Sequence, residues 1–505
     1  MFLADFVKTK RGKKDNICLE DSFRRLSSDS NVDCLPKQFK RKFLMEEKKM
    51  KKLIALLLVL VMVIGLVACG AEKAAPKDEE ITLQWVGAGW SQNDKANKII
   101  AKWNAIHPNI KIEYIEPGTS ADDAYKANLD TMIAGGTTVD VTYLTYGDVY
   151  QRVMNGSALA LDDYIKAAGD DYTKMYGALA ANMLEYNGGI YGIPYAGNTF
   201  KVFYNKDITD AAGITIPASM SIDDLTGIIR DLKKVEGLDY ACVFPYGWQD
   251  IIYIPATISG WNMAKKDADG NVVPNFDDET FKATMQWAYD LAAVEGATPD
   301  YNTMVSESIN RRQYLIEQKT ALILDGPYTL VWMQNYMYND PAIGDLPFTL
   351  GVADVPYATA DGKDISFNTV AGAFYVPKTS AHPQEAYEFA KFICNECPEE
   401  AANYMPIYKD ADMEAATKSF TEYTDAAGNQ HTNVYPLETA KAAVATPNET
   451  HIGKFGYDAT LAAYNSALYT LFEEQYTLFM SGEMGLQDWV DMMQDLGAAE
   501  IAKVN

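Results

Sequence analysis

From residue 81 to residue 144 the apolar positions switch repeatedly between two periods. Ile81, Leu83 and Trp85 alternate with polar neighbours and predict a strand over 81–86. Ile99, Ile100, Trp103 and Ile106 then recur at helical spacing over 98–106, and His107-Pro108-Asn109 stops that helix. Residues 110–115 alternate again. Tyr125, Leu129, Met132 and Ile133 mark a second amphipathic helix, closed by Gly135-Gly136 as its C-cap. Residues 139–144 form a nearly continuous apolar strand. Strands alternating with helices through connections this short imply a parallel sheet with helices on its faces. Ligands of such sheets bind beyond the carboxyl ends of the strands, which nominates the loops 87–91 and 145–148.

A second lobe is expected to begin near Asn205. Residues 191–207 open on Tyr191-Gly-Ile-Pro, an extended turn, and continue as a strand with Phe200, Val202 and Tyr204 on one side. They end in Tyr204-Asn-Lys-Asp207, where the alternation stops. This block reads as a strand leaving one lobe through a hinge at 203–205. A turn and helix follow over 217–235, a strand with its loop over 241–248, and a helix over 281–294. Residues 318–325 give a short buried strand ending in Asp325-Gly-Pro, with a helix through Trp332. Strands follow at 350–356 and 370–377, the latter the return crossing with a second hinge at 370–373, and helices at 457–480 and 486–504 close the chain. Lys265-Lys-Asp-Ala-Asp-Gly-Asn271 hints at calcium but lacks the ligand spacing of an EF-hand loop, so it reads as a hairpin turn.

The amino-terminal region changes the picture. Lys48-Lys-Met-Lys-Lys52 precedes an uncharged apolar run over 53–67, followed by Ala68-Cys69-Gly70. A basic start, a short apolar run and small residues at its end make a secretory signal, and the run falls short of the roughly 18–20 residues that span a bilayer. Residues 1–49 then read as an upstream extension with the true start at Met45 or Met50; a basic regulatory tail is the alternative. Residues 50–68 are the signal and 69–80 a linker. The first 68 residues hold 15 of the 44 basic and 8 of the 69 acidic side chains, leaving 29 against 61. So acidic a chain is repelled by nucleic acid and anionic head groups. Beyond Cys69 the cysteines are Cys242, Cys394 and Cys397. The last two end an amphipathic run before Pro398, and a helix C-terminus disfavours thiolate, so buried thiols or a local disulfide are expected rather than a redox pair. None of the four histidines stands at zinc-ligand spacing, and no cofactor or metal site is expected.

The 191–207 block, with further segments in matching order over most of residues 81–400 and the Leu66-Val-Ala-Cys69 junction, resembles the extracellular solute-binding proteins of ABC importers, in the maltose-binding-protein-like group. The resemblance implies an α/β, two-lobed periplasmic-binding-protein-like fold of type II, hinge-connected, with the ligand cleft between lobes. Lobe one would comprise 81–203 and about 374–440, lobe two 204–373 and about 441–505. It implies a monomeric receptor without enzymatic activity, lipidated on Cys69 at the outer face of the cytoplasmic membrane, that delivers a mono- or oligosaccharide to ABC permease transmembrane subunits.

Matched residue by residue, the resemblance nominates Trp90, Tyr146, Asp148 and Asn198 from the first lobe and its hinge approach, and Trp248, Gln249, Trp261 and Tyr328 from the second. Gly372 would let backbone approach the ligand. The division suits sugars, whose C–H faces accept a flat ring and whose hydroxyls need polar partners once dry. Where the family commonly has Trp after Gly-Pro this chain has Tyr328, and Asn198 replaces a carboxylate of the maltose binder. With 32 Tyr, 19 Phe and 8 Trp, most rings must be core or surface; Trp85 and Trp103 fit inward positions. Asp140 could touch the solute but is expected to order a loop, and Asp325 could hydrogen-bond the ligand but is expected to cap the helix after Pro327. Two other readings stand beside this one. A non-sugar solute, such as a polyamine, an anion–metal complex or a peptide, would use the same fold; a secreted carbohydrate-active enzyme would need a carboxylate pair that spacing cannot nominate.

Overall fold

A computed structural model describes residues 80–89, 94–118, 123–244, 261–340, 342–355, 368–401, 405–445 and 461–504. The chain divides into Met1–Glu79 and Glu80–Asn505, and all described residues belong to the second unit. The apolar run 53–67 and Cys69 lie outside the described residues. Among the described residues no helix is long and apolar enough to cross a membrane.

Among the described residues ten strands build two principal sheets. The first half of the chain supplies β1 (Ile81–Ala88), β2 (Ile110–Gly118), β3 (Val141–Leu144) and β4 (Ile193–Thr199). Then come β5 (Lys201–Asn205), β6 (Tyr240–Val243), β7 (Thr320–Asp325) and β8 (Leu350–Asp354), followed by β9 (Asn368–Tyr375) and β10 (Met405–Pro406). The first sheet has the order β10-β4-β9-β3-β1-β2 and the second β8-β5-β7-β6. β1 is parallel to β2 and β3, whereas β9 is antiparallel to β3 and to β4. In the second sheet β7 is parallel to β6, and β5 runs antiparallel to both β7 and β8.

Side-chain alternation along each strand feeds two opposite cores, so each sheet is the middle of three layers. Trp85, Val141 and Phe374 pack with Phe389 and Ile393 of the helix Pro383–Glu396, while their neighbours Val86, Ala373 and Tyr375 pack with Tyr125 and Val149 on the other face. In the second sheet Val202, Leu322 and Leu324 join Phe472 and Trp489 of the closing helices Ala462–Met480 and Leu486–Val504, while Phe203, Val243 and Ile323 join Leu330, Met333 and Tyr435. Trp85 and Trp103 are core residues, as their positions predict. The predicted hairpin turn is also found: Ala264–Lys266 pairs with Val272–Pro274, and the Asp267 carboxylate accepts the backbone N–H of Asp269 and Asn271.

Neither expected hinge coincides with a change of sheet. Residues 203–205 lie inside β5, where Phe203 and Tyr204 are paired with β7 on one side and β8 on the other, so a bend there would break two ladders. The chain changes sheets at Phe200, which belongs to neither strand. Unbroken alternation across Phe200, Val202 and Tyr204 concealed the switch. Val370 and Gly372 are paired with Gly197 and Ala196 in the first sheet. The return therefore lies between Asp354 and Asn368, of which 356–367 are outside the described residues. Residues 413–444, read as mostly first-lobe, pack on the second sheet through Phe420, Tyr435, Ala440 and Val444.

Candidate functional site

Strand direction fixes where the two sheets meet. β1 and β3 end at Ala88 and Leu144, the same edge at which β4 ends and β9 begins. In the second sheet β6, β7 and β8 end at Val243, Asp325 and Asp354, and the last two are in register with Lys201, the first residue after the switch. Both sheets thus direct their carboxyl edges to the crossing. That edge is where strand-end loops are free to meet a ligand.

On the first sheet, Gly89 follows β1 with φ +74°, and its N–H donates to Glu116 Oε1 at 2.5 Å. Trp90 lies outside the described residues. Thr145 after β3 caps the helix Tyr146–Met154. The Thr145 hydroxyl donates to Asp148 Oδ2 at 2.6 Å, and Lys126 Nζ lies 3.4 Å from Oδ1. Asp148 therefore stands in the first turn of a helix, where a carboxylate complements the dipole, with both oxygens engaged. Tyr146 opens this helix and Asn198 sits in β4 opposite Thr369; for these two the structure describes the backbone. Asp140 orders a loop as expected: it is fully buried and accepts from the Gln84 N–H at 2.8 Å and Ser380 Oγ at 2.6 Å.

On the second sheet, Trp248 and Gln249 lie outside the described residues. Tyr328 is half-buried at the N-terminus of the helix Thr329–Asn339, immediately beyond β7. Beneath it stands a cluster that the sequence reading did not find. Asp325, fully buried, accepts Arg311 Nε and Nη2 at 2.9 Å each, Arg312 Nε at 2.7 Å, Thr329 Oγ1 at 2.8 Å and the Gly326 N–H at 2.9 Å. Burial raises its carboxyl pKa, but the two guanidinium groups outweigh that and hold it below the ordinary value. The Arg312 guanidinium lies 5.3 Å from the ring centres of both Tyr328 and Trp332. Asp325 does more than cap the helix: it pairs with both arginines. The adjacent basic pair Arg311-Arg312 was the available signal, and only tertiary pairing gives it meaning.

Two nominated residues are closely packed by their neighbours. Trp261 is 5% exposed, stacks on Phe281 at 4.5 Å and donates its indole N–H to the Asn275 carbonyl at 2.7 Å. Its side chain joins the core on one face of the second sheet. Gly372 is required by its neighbours: a Cβ there would meet the Tyr143 hydroxyl and lie 2.7 Å from the Leu144 carbonyl oxygen. Cys394 and Cys397 are free and buried, and burial pushes both thiols up, that of Cys397 to about 12. Among the described residues no group of His, Cys, Asp and Glu could hold a metal ion. A cavity of about 530 Å³ lined by Tyr338, Asp340, Asp345, Asp425 and His431 lies at the far end of the helix from Tyr328.

Comparison with known proteins agrees with this architecture. An arabinooligosaccharide-binding protein of Bacillus subtilis is 26% identical over 349 residues, spanning 68% of this chain and 76% of the relative. A maltooligosaccharide ABC transporter solute-binding lipoprotein of Streptococcus pneumoniae is 25% identical over 400 residues, 74% of this chain and 84% of the relative. In fold, a sugar transporter structure from Rhizobium etli in an open conformation superposes with a TM-score of 0.65 at 20% identity, covering 83% of this chain and 99% of that one. The maltose-bound MalE3 of T. maritima gives 0.56 at 15% identity, covering 84% and 100%. A family model described as bacterial extracellular solute-binding protein matches residues 89–396. The chain therefore belongs to the bacterial extracellular solute-binding protein family, and is a binding receptor rather than an enzyme.

Proposed function

We propose that this receptor captures a mono- or oligosaccharide at the crossing between its two sheets and delivers it to the transmembrane permease of an ABC importer. The observation that carries the reading is the convergence of both carboxyl edges on one crossover, with Tyr328 at the end of β7. Trp90, Tyr146 and Asn198 would contribute from the first sheet, and Trp248, Gln249 and Tyr328 from the second, with Asp148 fixing the turn that carries Tyr146. Ligand contacts to both edges would favour a closed arrangement, with Phe200 and the return after Asp354 as pivots. Relatives that bind arabinooligosaccharides and maltooligosaccharides support a sugar over other solutes. The mature protein would be a monomer, held at the outer face of the membrane by lipid on Cys69.

The test is a thermal-shift panel on the full chain with saccharides, polyamines and amino acids, each hit followed by calorimetry and recovery of the ligand. A sugar at about 100 times its Kd should add roughly 2.7 kcal/mol to stability and be recovered intact. Stabilisation by a polyamine or amino acid alone would overturn the sugar reading, as would full binding by the double variant Trp90→Ala, Tyr328→Ala.

A further inference from the structure

The helices Arg311–Ile316 and Thr329–Asn339 are joined side by side at both ends of the shorter one. At its start, Asn310 accepts the backbone N–H of Arg312 at 3.0 Å and of Gln313 at 3.3 Å, a cap that fixes the backbone carrying Arg312. At its far end, Glu317 Oε1 accepts the Tyr336 hydroxyl at 2.9 Å. Tyr336 in turn stacks on Trp332, with ring centres 5.5 Å apart and planes 12° from parallel. Tyr328, Trp332 and Tyr336 recur every four residues, so they lie one turn apart along one side of the longer helix, and all three are half-buried.

The Arg312 guanidinium links this row of rings to the end of β7. Its Nε donates to Asp325 Oδ2 at 2.7 Å and to Thr329 Oγ1 at 2.9 Å, and its Nη2 to Asp325 Oδ1 at 3.2 Å. Asp325 is fully buried and is held from other sides by Arg311 and the Gly326 N–H. A planar group bonded along one edge to a fixed carboxylate has its own plane fixed. From that position it lies 5.3 Å from the centres of both the Tyr328 and the Trp332 ring, within cation–π range of each. A lysine could serve as counter-charge to Asp325. Meeting both carboxylate oxygens while covering two rings requires the guanidinium fork.

We infer that Arg312 is a positioning residue for solute binding: it orders the Tyr328 ring at the carboxyl edge of the second sheet and acts on the solute through that ring. The inference rests on the reading of Tyr328 as a solute contact and adds the residue that prepares it. A ring ordered before the solute arrives spares the entropy of ordering it on binding.

The experiment pairs a ligand-free with a ligand-bound measurement on the full chain in detergent, below the melting transition of every variant. Without ligand, the near-ultraviolet circular dichroism difference between the chain and Tyr328→Leu isolates the signal of that ring. The same difference taken in an Arg312→Lys background, which keeps a charge opposite Asp325, should largely vanish. With maltotriose and arabinotriose as probes, calorimetry should show Arg312→Lys weakening binding about tenfold. In a Tyr328→Ala background the same substitution should change Kd by less than about twofold, because the ring it acts through is gone. Full affinity in Arg312→Lys, or an unchanged ring signal, would reduce Arg312 to a counter-charge and overturn the inference. An equal loss with and without Tyr328 would also overturn it, by giving Arg312 a solute contact of its own. Full affinity in Tyr328→Ala alone would instead remove the reading on which the inference rests. Binding of neither probe would count against the sugar reading, and the circular dichroism difference would then decide whether Arg312 orders the ring.

Discussion

Lys201 Nζ lies 2.6 Å from Asp354 Oδ1 and 2.7 Å from the carbonyl oxygen of Ala445, with the lysine side chain 2% exposed. Lys201 is the first residue after the chain changes sheets, and Asp354 the last of β8 before it returns. One buried ammonium therefore ties the outgoing strand to the returning one. Burial lowers its pKa, and Asp354 counteracts only part of that. Asp354→Ala would leave the charge without its carboxylate, at an expected loss of about 3 kcal/mol in urea unfolding. The apolar pair Lys201→Met with Asp354→Leu should recover most of it, since no buried charge remains. Equal losses in the single and double variants would show that the pair acts through shape alone.

Asp325 contributes to the behaviour in acid. Its folded pKa lies below the ordinary 3.8, so in the window beneath that value the unfolded chain binds the proton more readily than the folded one. The stability it contributes is complete above the ordinary value and is lost as pH falls through the folded one. Urea midpoints should therefore drop between pH 4 and more acidic solution, and Asp325→Asn should flatten that part of the profile while lowering stability near neutrality by about 3 kcal/mol or more, because a buried carboxylate that pairs with two guanidinium groups is lost. An unchanged acid slope in Asp325→Asn would assign the effect to other carboxylates.

Gly372→Ala should cost about 1–3 kcal/mol by overpacking, because the new methyl meets the Tyr143 side chain and, at 2.7 Å, the Leu144 carbonyl oxygen. Removing the ring with Tyr143→Ala should restore only part of the loss, since the carbonyl belongs to a paired strand and cannot withdraw. Gly351 offers the contrast: its added Cβ would meet only Tyr204 ring atoms among its nearest neighbours, so Tyr204→Ala should relieve the clash in Gly351→Ala far more completely. Melting temperatures of the two pairs of variants distinguish the cases.

Cys394 and Cys397 should be inert in the folded protein. The pair ends the helix Pro383–Glu396, both thiols are buried, and their raised pKa values leave almost no thiolate near neutral pH. A chromogenic disulfide reagent should label them only on unfolding. Rapid labelling of the native chain would place at least one thiol at the surface.

Periodicity revealed residues 81–144 closely, because helices and strands there alternate with full patterns, but the helices Tyr146–Met154, Asp162–Ala168 and Tyr172–Leu184 went unread. The helix Leu486–Val504 was legible for the same reason. The sheet switch was not: Phe200, Val202 and Tyr204 keep one alternation through a change of partners, and pairing leaves no trace in a single strand's pattern. Nor was the packing of 413–444 on the second sheet, since those residues follow a first-sheet strand in sequence and reach the other core only through long-range contacts such as the Gln334 amide donating to the Phe420 carbonyl. At the site, strand-end position located Tyr328. Its charge environment depends on Asp325 meeting residues 13 and 14 positions earlier across a helix and a strand.

Trp261 and Tyr328 were nominated together, and the structure gives them opposite surroundings. Trp261 is 5% exposed among Phe276, Phe281 and Met285, with its indole N–H satisfied by Asn275, so truncation opens a core cavity. Trp261→Ala should lose about 3–5 kcal/mol of stability. Any weakening of binding should follow from unfolding and disappear once the folded fraction is taken into account. Tyr328 is half-buried at a helix N-terminus on the carboxyl edge. Its removal should cost less stability but about 2 kcal/mol of binding, roughly thirtyfold in Kd, if it stacks on the solute. Calorimetry beside urea unfolding for each variant reads both axes at once. The pattern reversed, with Tyr328→Ala losing stability alone and Trp261→Ala losing affinity alone, would move the site from the edge of the second sheet into its core.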